Sequence, residues 1–116
     1  MSTPVLLYMA KRTKRRPTPN SYYLLTEVVQ KINEGQVRIN SNAARDAFQL
    51  FGWGLSDITD AYRNLQPKHF CKTDVSKAKP GLYLDFYKAT INDERIYTHF
   101  YISNKSVLVI NSFKRQ

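Results

Sequence analysis

The sequence predicts an α+β fold in which N-terminal helices cover one face of an antiparallel β-meander contributed by the C-terminal half. Three observations carry that expectation. Apolar residues recur at helical spacing between Asn20 and Pro67, they alternate with polar residues from Leu82 to Phe113, and short polar turns join the alternating runs. At 116 residues and 42% hydrophobic content the chain has the size of one domain with one modest core. We assign that domain to residues 20–116 and a basic arm to residues 1–19.

In the arm, Lys11-Arg12-Thr13-Lys14-Arg15-Arg16 sets like charges side by side, and Pro17 and Pro19 each remove a backbone donor. This predicts a mobile or loosely docked segment, with Arg16 as a candidate phosphate contact. Asn20 or Ser21 is placed to cap a helix running to about Asn33, with Leu25, Val28, Val29 and Ile32 on one face and Gly35 at its end. Gln36 to Ile39 alternates briefly, as a strand or an extended connector. A second helix from about Ala43 to Phe51 turns Ala44, Ala47, Phe48 and Phe51 to its apolar side. Trp53, in the tight Gly52-Trp53-Gly54 turn with Leu55 following, reads as a buried plug. Ser56 or Asp57 caps a third helix that turns Ile58, Ala61, Tyr62 and Leu65 inward and closes near Pro67.

From Lys68 to Lys79 the chain is basic and reads as a loop rich in phosphate-binding candidates, Lys68 and Lys72 among them. Three strands follow, at about Leu82 to Thr90, Arg95 to Ser103 and Ser106 to Phe113. Polar turns at Asn92-Asp93-Glu94 and Asn104-Lys105 join them into a meander.

Charge is the strongest compositional signal. Eighteen Lys and Arg against nine Asp and Glu give a net charge of +9, a field that attracts polyanions. With 13% aromatic residues and eight tyrosines, a single-stranded nucleic acid that stacks as well as pairs its phosphates is the partner this composition suits. Cys71 is the only cysteine, so neither an intrachain disulfide nor a cysteine-based zinc site can form, and a cytoplasmic setting follows most naturally. No apolar run reaches membrane-spanning length, so no membrane partner is expected. Gly-rich phosphate loops, serine-nucleophile motifs and metal-ligand spacings are absent, which leaves no expected metal or cofactor.

The strand around Arg95 to Ile102 puts two chemistries on opposite faces. Ile96, Thr98, Phe100 and Ile102 point one way; Tyr97, His99 and Tyr101 point the other. Taking Leu82, Leu84 and Phe86 as core partners places Tyr83, Asp85 and Tyr87 on the open face beside Tyr97, His99 and Tyr101. If Lys114 joins them, this face gathers phenols, an imidazole, a carboxylate and an ammonium. Those groups suit metal-free RNA cleavage, in which a 2′-hydroxyl attacks its own phosphate and needs a base, an acid and a cation. His99 is the natural base or acid, since imidazole titrates near neutrality, and Lys72 or Lys114 supplies charge. The same face also suits a non-catalytic RNA- or DNA-binding module, or a surface that an acidic partner covers.

Arg16-Pro17-Thr18-Pro19, Asn33-Glu34-Gly35-Gln36-Val37-Arg38, Phe70-Cys71-Lys72, Ile96-Tyr97 and the closing Ser112-Phe113-Lys114 occur in an order and spacing that resembles the MqsR toxins of bacterial type II toxin–antitoxin systems, RelE-like ribonucleases. The resemblance spans roughly Lys14 to Arg115. It implies a RelE-like fold and a metal-independent mRNA endoribonuclease that works without the ribosome. It also implies an antitoxin partner with a zinc-binding N-terminal part and a helix-turn-helix C-terminal part. It places catalytic roles on Lys72, Tyr97 and Lys114. The family's glutamine falls on Leu84, a departure: either Tyr83 or Asp85 covers the role, or the chemistry is arranged differently here; His99 matches no catalytic position of the family and rests on its chemistry alone.

Overall fold

A computed structural model describes residues 20–116; the predicted arm, Arg16 included, lies outside the described residues. Among these residues the chain forms α1 (Leu25–Asn33), β1 (Val37–Ile39), α2 (Ser41–Phe51), α3 (Leu55–Arg63), a 3-10 turn (Pro67–His69), β2 (Phe70–Val75), β3 (Tyr83–Ile91), β4 (Glu94–Ile102) and β5 (Leu108–Arg115). The strands make one sheet in the order β1-β5-β4-β3-β2. The pairs from β2 to β5 are antiparallel and β1 runs parallel to β5. The α+β expectation and its meander are therefore realised; Val37–Ile39, open between strand and connector in the sequence, is a strand, and one strand more was not expected. Phe70–Val75, expected as loop, is an edge strand: its backbone pairs with β3 while its one basic side chain, Lys72, stands exposed.

Local chemistry sets the boundaries. Tyr22 and Tyr23 direct their backbone N–H groups to the Asp85 carboxylate, at 3.0 and 2.8 Å, which holds the preceding chain extended. The first helix consequently begins at Leu25 and not behind an Asn20 or Ser21 cap. Gly35 and Gly52 end α1 and α2 with φ of 72°, the left-handed conformation that a side chain resists. At the start of α3 the Gly54 N–H donates to the Asp57 carboxylate at 2.8 Å, so Asp57 reaches back from inside the helix. Between β3 and β4 the two-residue turn Asn92-Asp93 has both φ values positive, as a right-twisted hairpin requires.

The core lies against one face of the sheet. Ile96, Thr98 and Phe100 of β4 and Phe113 of β5 are essentially fully buried. Tyr62 of α3 packs edge-on against Phe100 and Phe113. Its hydroxyl donates to Thr98 Oγ1 at 2.6 Å, and Thr98 in turn donates to the Ser112 carbonyl at 2.7 Å. This chain of donors satisfies two buried hydroxyls. Trp53 is the expected plug, edge-on to Phe113 and tilted against Phe51. Phe48 departs from expectation: α2 buries Ala43 together with the expected Ala47, and Phe48 is 67% exposed.

Candidate active site

Strand register builds the opposite, open face. On β4, Tyr97 and His99 are half-buried and turned away from the core, as the alternation predicts. Opposite them on β5 stand Lys114, facing Tyr97, and Ser112, facing His99, so Lys114 does join the open face. Across the other edge of β4, Phe86 pairs with His99 and Lys88 with Tyr97; one strand further, Lys72 pairs with Phe86. Two adjacent rows result: Lys72, Phe86, His99, Ser112, and beside it Lys88, Tyr97, Lys114. Phe86 is their hub, its ring centroid 4.4 Å from that of His99 and 5.7 Å from that of Tyr97. Ammonium groups lie over this aromatic plate, Lys72 Nζ 4.8 Å above Phe86 and Lys88 Nζ 5.4 Å above Tyr97.

The parity expected for β3 is reversed. Asp85 and Tyr87 are buried on the core side, and Leu84 and Phe86 face outward with Lys88. A carboxylate can occupy the core here because it accepts from the Tyr22 and Tyr23 backbones and from Thr73 Oγ1 at 2.5 Å. Tyr87 stacks on Phe100 and meets Phe70 edge-on. Tyr83, on the same parity, stacks on Tyr22 with centroids 4.5 Å apart. Tyr83, Asp85 and Tyr87 thus belong to the helix side of the sheet and not to the open face, and neither Tyr83 nor Asp85 takes the place of the absent glutamine. Leu84 does lie on the open face. The misleading signal was Leu84 and Phe86; the informative one was the far end of the strand, where Ala89 and Ile91 alternate with Lys88 and Thr90.

Tyr101 has the expected open-face parity but is only 8% exposed, at the floor of a recess beside Arg38. Lys68 is exposed in the 3-10 turn leading into β2, beside His69. Phe86, Lys88, Asp74, Asn111 and Arg38 were not singled out in the sequence. Asn111 escaped notice because β5 carries a bulge next to Ile110 that returns it to the open face.

Electrostatics separates the roles of the titratable groups. Burial pushes the His99 pKa below its usual 6.5, and the Lys114 and Lys72 charges push it the same way, so the imidazole rests neutral. Asn40 Nδ2 donates to Asn111 Oδ1 at 2.5 Å, which leaves the Asn111 amide N–H to donate to His99 Nε2 at 2.7 Å. The ring proton therefore sits on Nδ1. Lys72 is held protonated by its hydrogen bond and ion pair with Asp74, 2.8 Å away, which raise its pKa. Among the described residues no group of three or more His, Cys, Asp or Glu is placed to hold a metal ion, and no helix is long and apolar enough to cross a membrane.

No curated protein matches the chain. A family model does: its description is "Motility quorum-sensing regulator, toxin of MqsA", and it matches residues 20–115, nearly all of the described residues and all the strands that carry the two rows. Together with the α+β architecture, that match identifies the chain as a member of the MqsR toxin family, the toxin side of a toxin–antitoxin pair.

Proposed function

We propose that this toxin is a metal-independent, ribosome-independent mRNA endoribonuclease that cleaves by attack of a 2′-hydroxyl on the adjacent phosphate. The observation that carries the reading is the pairing of a neutral imidazole with cations on either side of it, on a face that an RNA strand can reach. His99 Nε2 accepts the 2′-hydroxyl proton once the substrate displaces the Asn111 amide from it. The 2′-oxygen then bonds to phosphorus, and the Lys72 and Lys114 ammonium groups offset the charge that gathers on the phosphorane oxygens. As the bond from phosphorus to the 5′-oxygen breaks, the Tyr97 hydroxyl donates its proton to the departing oxygen. Lys88 over the ring and Lys114 across the strand offset the charge left on the phenol. Solvent returns that proton to Tyr97 and removes the other from His99. The products are a 2′,3′-cyclic phosphate and a 5′-hydroxyl end.

The partner proposed is a cognate antitoxin with a zinc-binding N-terminal part and a helix-turn-helix C-terminal part, meeting the toxin in the cytoplasm. Purified protein incubated with single-stranded RNA in chelator is expected to give fragments with cyclic-phosphate ends. Tyr97→Phe and Lys114→Ala should each lower the cleavage rate by about 10²-fold or more while RNA binding persists. Wild-type protein that is folded and binds RNA yet leaves it intact would reject the enzyme and identify a non-catalytic RNA- or DNA-binding module.

A further inference from the structure

A second feature of the open face lies one step along the strands from the His99 row. Arg38, Asn40, Ser76, Lys79, Tyr101 and Asn111 surround a recess of about 290 Å³, walled on its apolar side by Leu82 and Leu84. Its size approaches that of the smallest ligand pockets, about 300 Å³. The polar groups that enter it are mostly donors: a guanidinium, an ammonium, amide N–H groups and a phenol. The Arg38 Nη2 stands 3.5 Å from the Tyr101 hydroxyl, which keeps the fork at the mouth of the recess. Asn111 belongs to both places, lining the recess while donating to the Nε2 of His99.

We infer that this recess is a nucleobase subsite, which takes the base of the nucleotide whose 2′-hydroxyl attacks. The inference rests on the ribonuclease reading for that assignment to the attacking nucleotide, though not for base binding itself. The apolar wall at Leu82 and Leu84 suits the face of a base, and the surrounding donors suit an edge that presents acceptors. Bases with a keto oxygen, uracil and guanine, meet those donors with their O4 or O6. Cytosine and adenine bring an amino group to the same place and leave donor facing donor, which costs binding. Seating a base here also brings its ribose towards His99. The Asn111 amide, displaced from Nε2 by the 2′-hydroxyl, is then free to hydrogen-bond the base. Recognition and activation of the base catalyst thereby pass through one side chain.

The test uses 2′-fluoro hexanucleotides, which cannot form the attacking alkoxide, so binding is read without cleavage. Fluorescence anisotropy on the full chain compares uridine with cytidine hexamers, and inosine with adenosine hexamers, pairs that differ at the keto or amino position. Wild type is expected to prefer the keto member by about 5-fold or more, the discrimination that a fixed hydrogen-bonding edge supplies. Arg38→Ala and Asn40→Ala should bring the ratio close to one, and Arg38→Lys should keep overall affinity while losing most of the ratio; thermal melts establish that each variant is folded. Equal binding of both members by wild type, or full discrimination retained in Arg38→Ala and Asn40→Ala, would overturn the subsite. A keto preference without cleavage of ordinary RNA leaves the subsite standing and rejects the ribonuclease, so the two readings fail separately.

Discussion

Asp85 and His99 both sit on the strands that build the site, and they do opposite things with burial. Asp85 is fully buried as an acceptor for two backbone N–H groups and a hydroxyl, so its work is to fasten Tyr22 and Tyr23 and the edge strand to the sheet. Replacing it with Ala strands those donors and is expected to cost on the order of 3 kcal/mol, read as a lowered urea midpoint. His99 is only half-buried, and burial together with two ammonium groups holds its pKa below 6.5. On the ribonuclease reading His99 is the base, and a base must be neutral to act, so kcat/KM should fall only as pH drops below 6.5, through the depressed value. Removing the Lys114 charge lets the pKa climb back towards 6.5, and the acidic limb measured on the residual activity of Lys114→Ala should move to higher pH. An unmoved limb would mean that a group other than His99 sets it. That Tyr97 and Lys114 share the open face was legible from strand alternation and motif order, whereas Lys72 reaches that face from a strand that read as loop. The position of Asp85 was not legible, because no pattern of apolar residues announces a buried carboxylate; only its donors, the Tyr22 and Tyr23 backbones some sixty residues away in sequence and the Thr73 hydroxyl, make that burial tolerable.

Elements followed sequence where local chemistry is strong and departed where tertiary partners decide. Gly52 closes α2 at positive φ, and nothing lies within 4 Å of where a Cβ would stand, so Gly52→Ala meets conformational strain alone. The expected cost is about 1–2 kcal/mol in a thermal or urea melt. Trp53 bridges Phe51 to Phe113 and is 6% exposed, so Trp53→Ala should cost about 3–5 kcal/mol. β2 was hidden by the lysines that flank it, Lys68, Lys77 and Lys79: the basic stretch reads as loop, although an edge strand can carry charge, here Lys72 and Asp74, and is protected by it from unwanted pairing. In β3 the first half of the strand suggested one parity and the second half the other. The second half was right: Ala89 and Ile91 are buried in the core, whereas Leu84 lines the recess on the open side and Phe86 lies there against Lys72 and His99.

At the scale of the molecule, a net charge of +9 attracts polyanions whatever their sequence, and on the ribonuclease reading the two rows and the recess act on the RNA so drawn. Binding should therefore weaken at least tenfold between about 50 and 200 mM salt, whereas the keto-over-amino ratio should hold steady, since it compares equally charged strands. The architecture has one more consequence, which concerns the order in which the chain is made. β5 lies between β4 and β1, supplies Lys114 and Ser112 to the two rows, and carries the Asn111 bulge. A growing polypeptide that has not yet extruded Leu108–Arg115 has its preceding strands but not a closed sheet: β1 has no neighbour to pair with, and His99 lacks both Asn111 and the nearby Lys114. On the ribonuclease reading, such an unfinished chain is harmless to the message still threaded through its ribosome, and toxicity begins only when the last strand docks.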